Sequence, residues 1–214
     1  MSVPPDPATP NQGLIRRQPT QERAKARVER ILAAASELIA ETGSDAVRMT
    51  EIAVRAGIPI GSLYQYFPDK SAVLRVLISR FMANTREMLT EALKSVKDKE
   101  GAIATLDGLI AGHYLTFMNT PVVRDIWSGA QADKALQMLD LEDSRACGQL
   151  LFDTFKSMVP ESEHERLGAI CFLMVQMAGA TVRLAIVLDR KEGDLLVSEF
   201  RRVVRTEISN FLIY

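Results

Sequence analysis

The stretch Thr50 to Leu74, TEIAVRAGIPIGSLYQYFPDKSAVL, decides how the whole chain is read. Ile52, Ala53 and Ala56 fall on one side of a short helix, and the hydroxyl of Thr50 is placed to cap it. Gly57 ends that helix, because the left-handed backbone such an ending needs is cheap only for glycine. Ile60, Leu63 and Phe67 then recur at i, i+3 and i+7 and give a second helix its apolar side. Small Ala53 lets the two helices cross closely, and the short glycine-containing turn between them is the pattern of a helix-turn-helix. Ser62, Tyr64, Gln65 and Tyr66 are not needed for that core.

In such a motif the N-terminal half of the second helix enters the DNA major groove. Gly61, Ser62, Tyr64 and Gln65 are the expected base readers. Gln65 can bond an adenine edge at two points, and Tyr64 and Tyr66 each offer a hydroxyl to phosphate and a ring to a thymine methyl. Lys70 opens the next helix, where its charge and the unpaired N–H groups of the helix end both favour a phosphate oxygen. From these residues alone, an ordinary three-helix packing unit with the tyrosines as half-buried spacers is also open.

Thr50, Ile52-Ala53, Ala56-Gly57, Gly61, Leu63-Tyr64, Tyr66-Phe67, Lys70 and Leu74 stand in an order that resembles the DNA-binding signature of the TetR family of bacterial transcriptional regulators. The similarity covers residues 24 to 82. Pro59 and Ile60 depart from it, since the family often has small or charged polar residues there; base reading then leans on Ser62, Tyr64 and Gln65. The resemblance implies an all-α chain. Residues 20–68 would form a three-helix helix-turn-helix DNA-binding head, joined by a long helix to an effector-binding and dimerisation domain in residues 69–214. It further implies a cytoplasmic repressor that binds a palindromic operator in double-stranded DNA as a homodimer and is released by a small apolar effector.

Composition agrees with a globular chain of this kind. Of 214 residues, 47% are hydrophobic and 25% charged, enough for a well-buried helical core. The net charge is −1, but residues 14 to 80 hold 11 Lys/Arg against 7 Asp/Glu, leaving 15 and 20 elsewhere, so the positive end carries the helix-turn-helix. Cys147 and Cys171 form no disulfide framework, and with His113 and His164 as the only histidines no metal-ligand spacing arises. A reducing cytoplasm suits such cysteine usage. No nucleophile motif, phosphate-binding glycine loop or cofactor motif is present. An enzyme using the C-terminal part, and a helical module that contacts protein rather than DNA, are the alternatives to a DNA-binding regulator.

Residues 1–19, rich in proline and small polar groups, read as a disordered arm; Arg16 and Arg17 at its end would either reach a minor groove or belong to a solvated tail. From Thr20, Val28, Ile31, Leu32, Ala35, Leu38 and Ile39 form one helical stripe that Gly43 stops, with Arg23, Lys25, Arg27 and Arg30 near its start for phosphate contacts. Asp69 caps a long fourth helix to about Val96, and a boundary at Lys94–Glu100 closes with Gly101. A helix then runs to Asn119, and Thr120-Pro121 starts another. Residues 132–142 are ambiguous, Leu141 to Val159 is helical, and Ser162-x-x-Glu165 forms a capping box for a long apolar helix to Asp189. Asp194 caps the last helix.

The segment Leu167 to Leu188 is long enough to cross a bilayer, although Gln176 and Arg183 interrupt it; burial between helices or subunits is the preferred reading. For a ligand site the expected side chains are His113, Phe117, Trp127, Phe152, Phe155 and Met174. For a dimer interface on the last two helices they are Leu167, Met174, Thr181, Leu196, Phe200 and Val204.

Overall fold

The computed structural model describes residues 22–129 and 133–213. The N-terminal arm of 1–19, with Arg16 and Arg17, lies outside the described residues. Nine α-helices are described and no strand occurs among the described residues. The chain divides into two compact units, Met1–Phe81 and Met82–Tyr214, with the division falling inside the fourth helix.

In the first unit α1 (Glu22–Thr42) buries the foreseen stripe of Val28, Ile31, Leu32, Ala35, Leu38 and Ile39. Gly43 closes it at φ +83, its N–H donating to the Ile39 carbonyl. In α2 (Met49–Arg55), Ile52 and Ala53 point inward, as does Ala56 just beyond its end. Thr50 is not its cap. The helix begins one residue earlier, and the Arg48 N–H donates to Glu51 Oε2 at 2.8 Å, leaving Thr50 exposed in the first turn. At the other end the Gly57 N–H reaches Val54 O and the Ile58 N–H reaches Ala53 O. This paired closure requires a left-handed residue, and Gly57 has φ +64.

The buried side of α3 (Ile60–Tyr66) differs from the sequence reading. Leu63 and Phe67 are fully buried, but Ile60 is 38% exposed and Tyr66 takes its place in the core at 5%. The helix has only seven residues, and Ile60 opens it directly after Pro59. The inward stripe is therefore Leu63, Tyr66 and Phe67, at i, i+3 and i+4. The long helix α4 (Lys70–Leu93) follows, with the Asp69 carboxylate accepting from the Ala72 N–H at 2.7 Å. Its early residues Val73, Val76 and Ile78 are fully buried, and Arg80 pairs with Glu29 of α1.

The second unit contains the end of α4 together with α5 (Lys99–Asn119), α6 (Pro121–Gly129), α7 (Lys134–Phe155), α8 (His164–Ala185) and α9 (Arg190–Phe211). Helix α5 starts behind Asp98, which accepts from the Gly101 N–H, so Gly101 belongs to the first turn and closes no boundary. Asp133 caps α7 through the Ala135 and Leu136 N–H groups, which makes most of the ambiguous 132–142 region helical. No capping box forms at Ser162–Glu165; a 3-10 turn, Glu161–Glu163, leads directly into α8. Asp189, not Asp194, caps α9.

Two glycines set the packing of this unit. A Cβ on Gly148 of α7 would lie 3.0 Å from the Phe172 Cα of α8. One on Gly193 of α9 would lie 2.4 Å from the Ala185 carbonyl oxygen, so the start of α9 touches the end of α8 backbone to backbone. Polar clamps add to the apolar contact between α5 and α9. The Tyr114 hydroxyl donates to Asp194 at 3.0 Å, and Arg201 and Arg205 both reach Asp107, whose carboxyl they hold below its ordinary range.

Candidate DNA interface and ligand cluster

With Leu63, Tyr66 and Phe67 turned inward, α3 presents Ile60, Gly61, Tyr64 and Gln65 outward. Gly61, Tyr64 and Gln65 were foreseen there; Ile60 was not, and its exposed side chain offers a contact for a thymine methyl. Tyr66 packs into the head instead of standing on the outer face. A Cβ on Gly61 would meet nothing within 4 Å, so the head's own packing does not require glycine at that position.

Ser62 is half-buried, and its hydroxyl accepts from the Arg27 guanidinium of α1 at 3.2 Å. Arg27 thus ties α1 to the start of α3. Arg23 and Arg30 are exposed on α1. Lys70 has a structural role that its position in the sequence hides: its ammonium donates to the Ser44 and Asp45 carbonyls at 2.8 and 3.0 Å. Two of its three N–H donors thereby anchor the turn between α1 and α2 to the start of α4.

The expected ligand side chains separate into groups. Phe152 packs edge-on against His164 at the start of α8, with ring centroids 5.7 Å apart. Arg183 lies near the other end of α8 and stacks over the Trp127 ring at 5.2 Å. At 1.5 Å per residue these two ends are about 28 Å apart, so Phe152 and Trp127 belong to no common small pocket. Phe155 is fully buried and Met174 nearly so.

The group around Trp127 is the polar one. His113 lies edge-on to Phe117 at 5.0 Å, and burial together with the Arg183 charge pushes its imidazole down to about 4, so it is neutral at physiological pH. Arg183 pairs with Asp140 of α7 at 3.6 Å, a loose pairing, while burial raises the Asp140 carboxyl. Asp143, one turn further on, feels the Asp140 charge and pairs with Arg86 of α4 at 2.8 Å. Trp127 is 7% exposed, and its Nε1–H is buried without an acceptor among the described residues. Leaving a buried donor unpaired costs about 1–3 kcal/mol, and few native side chains do so. Sequence reasoning did not place Arg183 and Asp140 beside Trp127. The available signal was Arg183 itself, a charge within an otherwise apolar helix.

Burial divides the expected interface residues. Leu167, Met174, Phe200 and Val204 are all below 10% exposed in the single chain, so they serve its own core; Thr181 and Leu196 are intermediate. The outward side of α8 consists instead of Ala169, Leu173, Met177, Ala180 and Leu184. Leu173 is 56% exposed and Leu184 50%. By length and composition the segment Glu161–Ala185 could cross a membrane, yet its opposite side, Leu167, Cys171, Met174, Val182 and Ala185, is packed into the second unit.

A helix-turn-helix head in one unit followed by a second, helical unit is an architecture of DNA-binding transcriptional regulators. The comparisons with known proteins make this specific. Residues 31–77 match the model of bacterial regulatory proteins of the tetR family, and residues 100–212 match a tetracyclin repressor-like C-terminal domain. The chain belongs to the TetR family. It is 28% identical over 120 residues to YvdT of Bacillus subtilis (strain 168), an uncharacterized HTH-type transcriptional regulator; the match spans 54% of this chain and 59% of that protein. A TetR-family transcriptional regulator from Pectobacterium atrosepticum superimposes with a TM-score of 0.69 at 17% identity, covering 92% of this chain and 99% of that one. FadR from Bacillus subtilis in complex with stearoyl-CoA gives 0.61 at 22% identity, covering 84% and 96%. At such identities these two likenesses speak to the fold alone.

Proposed function

We propose that this protein is a cytoplasmic repressor that binds a palindromic operator as a homodimer and is released by a small, largely apolar effector. The observation that carries the reading is the outer face of α3, where Gly61, Tyr64 and Gln65 are exposed beside Ile60 while Leu63 and Tyr66 are committed to the core. A glycine with open space beside it admits a DNA backbone or base edge closely, and Gln65 supplies paired hydrogen bonds. Thr50, exposed in the first turn of α2, and the third ammonium donor of Lys70 add phosphate contacts.

Dimerisation is supported by the apolar outer stripe of α8, because two heads related by a two-fold axis match the two halves of a palindrome. Release follows from linkage. An effector that binds better to the chain conformation in which the heads are wrongly spaced must weaken operator binding by the same factor. Helix α4 contributes residues to both units and is their covalent connection. That FadR is found with stearoyl-CoA encourages the choice of an apolar effector.

The test is selection of bound duplexes from a random pool by the purified protein at near-physiological salt. A two-fold symmetric consensus is expected, with affinity falling steeply as salt rises. A pool that shows no enrichment with folded protein would remove sequence-specific DNA recognition as its function.

A further inference from the structure

The polar cluster of the second unit narrows the chemistry of the effector, an inference that rests on the regulatory reading above. Trp127 Nε1–H is buried and lacks an acceptor among the described residues. The Arg183 guanidinium lies over the same indole ring at 5.2 Å. One neutral and one cationic donor thus lie at the same indole ring, the N–H at its edge and the guanidinium over its face. Asp140, the acid that pairs with Arg183 among the described residues, stands 3.6 Å away, too far for a direct hydrogen bond of ordinary length. His113, facing Arg183 from α5, is neutral and adds no competing positive charge. Phe117 and the Trp127 ring supply apolar walls.

We infer that this cluster is a binding site for an amphipathic organic acid, whose carboxylate or phenolate oxygen accepts the Trp127 Nε1 hydrogen and draws Arg183 away from Asp140. A purely apolar guest leaves the indole N–H unpaired, and a cationic one meets Arg183 head-on. An acid satisfies both groups at once through charge-assisted bonds. It also has a route outward: Asp140, losing Arg183, adds its charge to that of Asp143, which holds Arg86 of α4.

Trp127 is the only tryptophan in the chain, so its emission reports occupancy directly. The full-length protein is titrated with octanoate, decanoate and dodecanoate, with the alcohols and primary amines of the same chain lengths, and with a halogenated phenol and its methyl ether. Binding is read by Trp127 emission and by calorimetry, and release of the selected operator duplex is followed in parallel. The acids, or the phenol over its ether, are expected to bind at least about tenfold more tightly than their neutral and cationic counterparts. Arg183→Gln should reduce that preference to less than about threefold while Arg183→Lys retains part of it, circular dichroism showing both variants folded. Equal binding by alcohols and acids, preference for amines, or no binding by any member of the panel overturns the inference. If alcohols bind and release the operator as well as acids do, the acid site is wrong and the regulatory reading stands. If acids bind with the expected preference but leave the operator bound, the site stands and the effector-release reading falls.

Discussion

Helices α3 and α8 both turn an unburied face outward, and the two faces have opposite chemistry. On α3 it is Ile60, Gly61, Tyr64 and Gln65, a glycine with open space around it, two side chains with hydrogen-bonding groups and one half-exposed isoleucine. On α8 it is Ala169, Leu173, Met177, Ala180 and Leu184, with no polar atom beyond the backbone and one thioether. A polar outer face gains little from removing water, so it suits a partner that offers matching donors and acceptors, as base edges do. An apolar outer face gains about 25 cal/mol for each Å² it hides, so it suits a protein surface of the same kind. One chain thus carries two outward faces suited to different kinds of partner.

The comparison breaks first at α8. Leu173→Glu combined with Met177→Glu puts like charges onto both copies of a two-fold interface, and the expected result is a folded monomer by sedimentation. Operator affinity should then fall by about a hundredfold or more, since a palindrome no longer meets two linked heads. A dimer that persists would place the subunit contact elsewhere. The next effect belongs to the interior that holds α8 in place. Gly193→Ala drives a methyl group toward the Ala185 carbonyl, and overpacking against backbone should cost about 3 kcal/mol. In thermal unfolding that corresponds to a Tm lower by roughly 6 to 12 °C; an unchanged Tm would contradict the close approach.

The α3 side gives smaller and more selective effects. Gln65→Ala should lower affinity for the selected consensus by about 1–2 kcal/mol and relax preference at a single base position, read by repeating the selection. A uniform loss across all sequences would assign Gln65 to the phosphate backbone instead. Gly61→Ala should separate folding from recognition. In a helix alanine is favoured over glycine, so the head should gain about 0.5 kcal/mol of stability, while operator affinity drops about tenfold because the added methyl faces the DNA. If both quantities rise together, nothing approaches α3 closely at that point.

Much of the head was legible because its signals are local. Gly57 had to end α2 in the left-handed region, and the α1 stripe from Val28 to Ile39 needed only the helical period. Where two residues of the same type compete, local signals fail. Asp189 and Asp194 both precede helical sequence, and the Asp189 carboxylate's bonds from the Lys191 and Glu192 N–H groups show that α9 starts behind Asp189 and already runs through Gly193. Ile60 and Tyr66 are both apolar enough for the core, and the short α3 buries the one on the side of Leu63 and Phe67.

The sequence by itself determined the class of protein, the all-helical fold, the helix-turn-helix and the outward placing of Gly61, Tyr64 and Gln65. These follow from spacing along one chain, which the backbone geometry of helices converts directly into faces. Only the tertiary structure decided that Leu167, Phe200 and Val204 serve the core while Leu173 and Leu184 remain outside, and that Lys70 holds a turn. It alone brought Trp127, Arg183 and Asp140 together from three helices. Hydrophobicity tells that a residue prefers to leave water, but which neighbour it leaves water for depends on contacts between segments far apart in the chain.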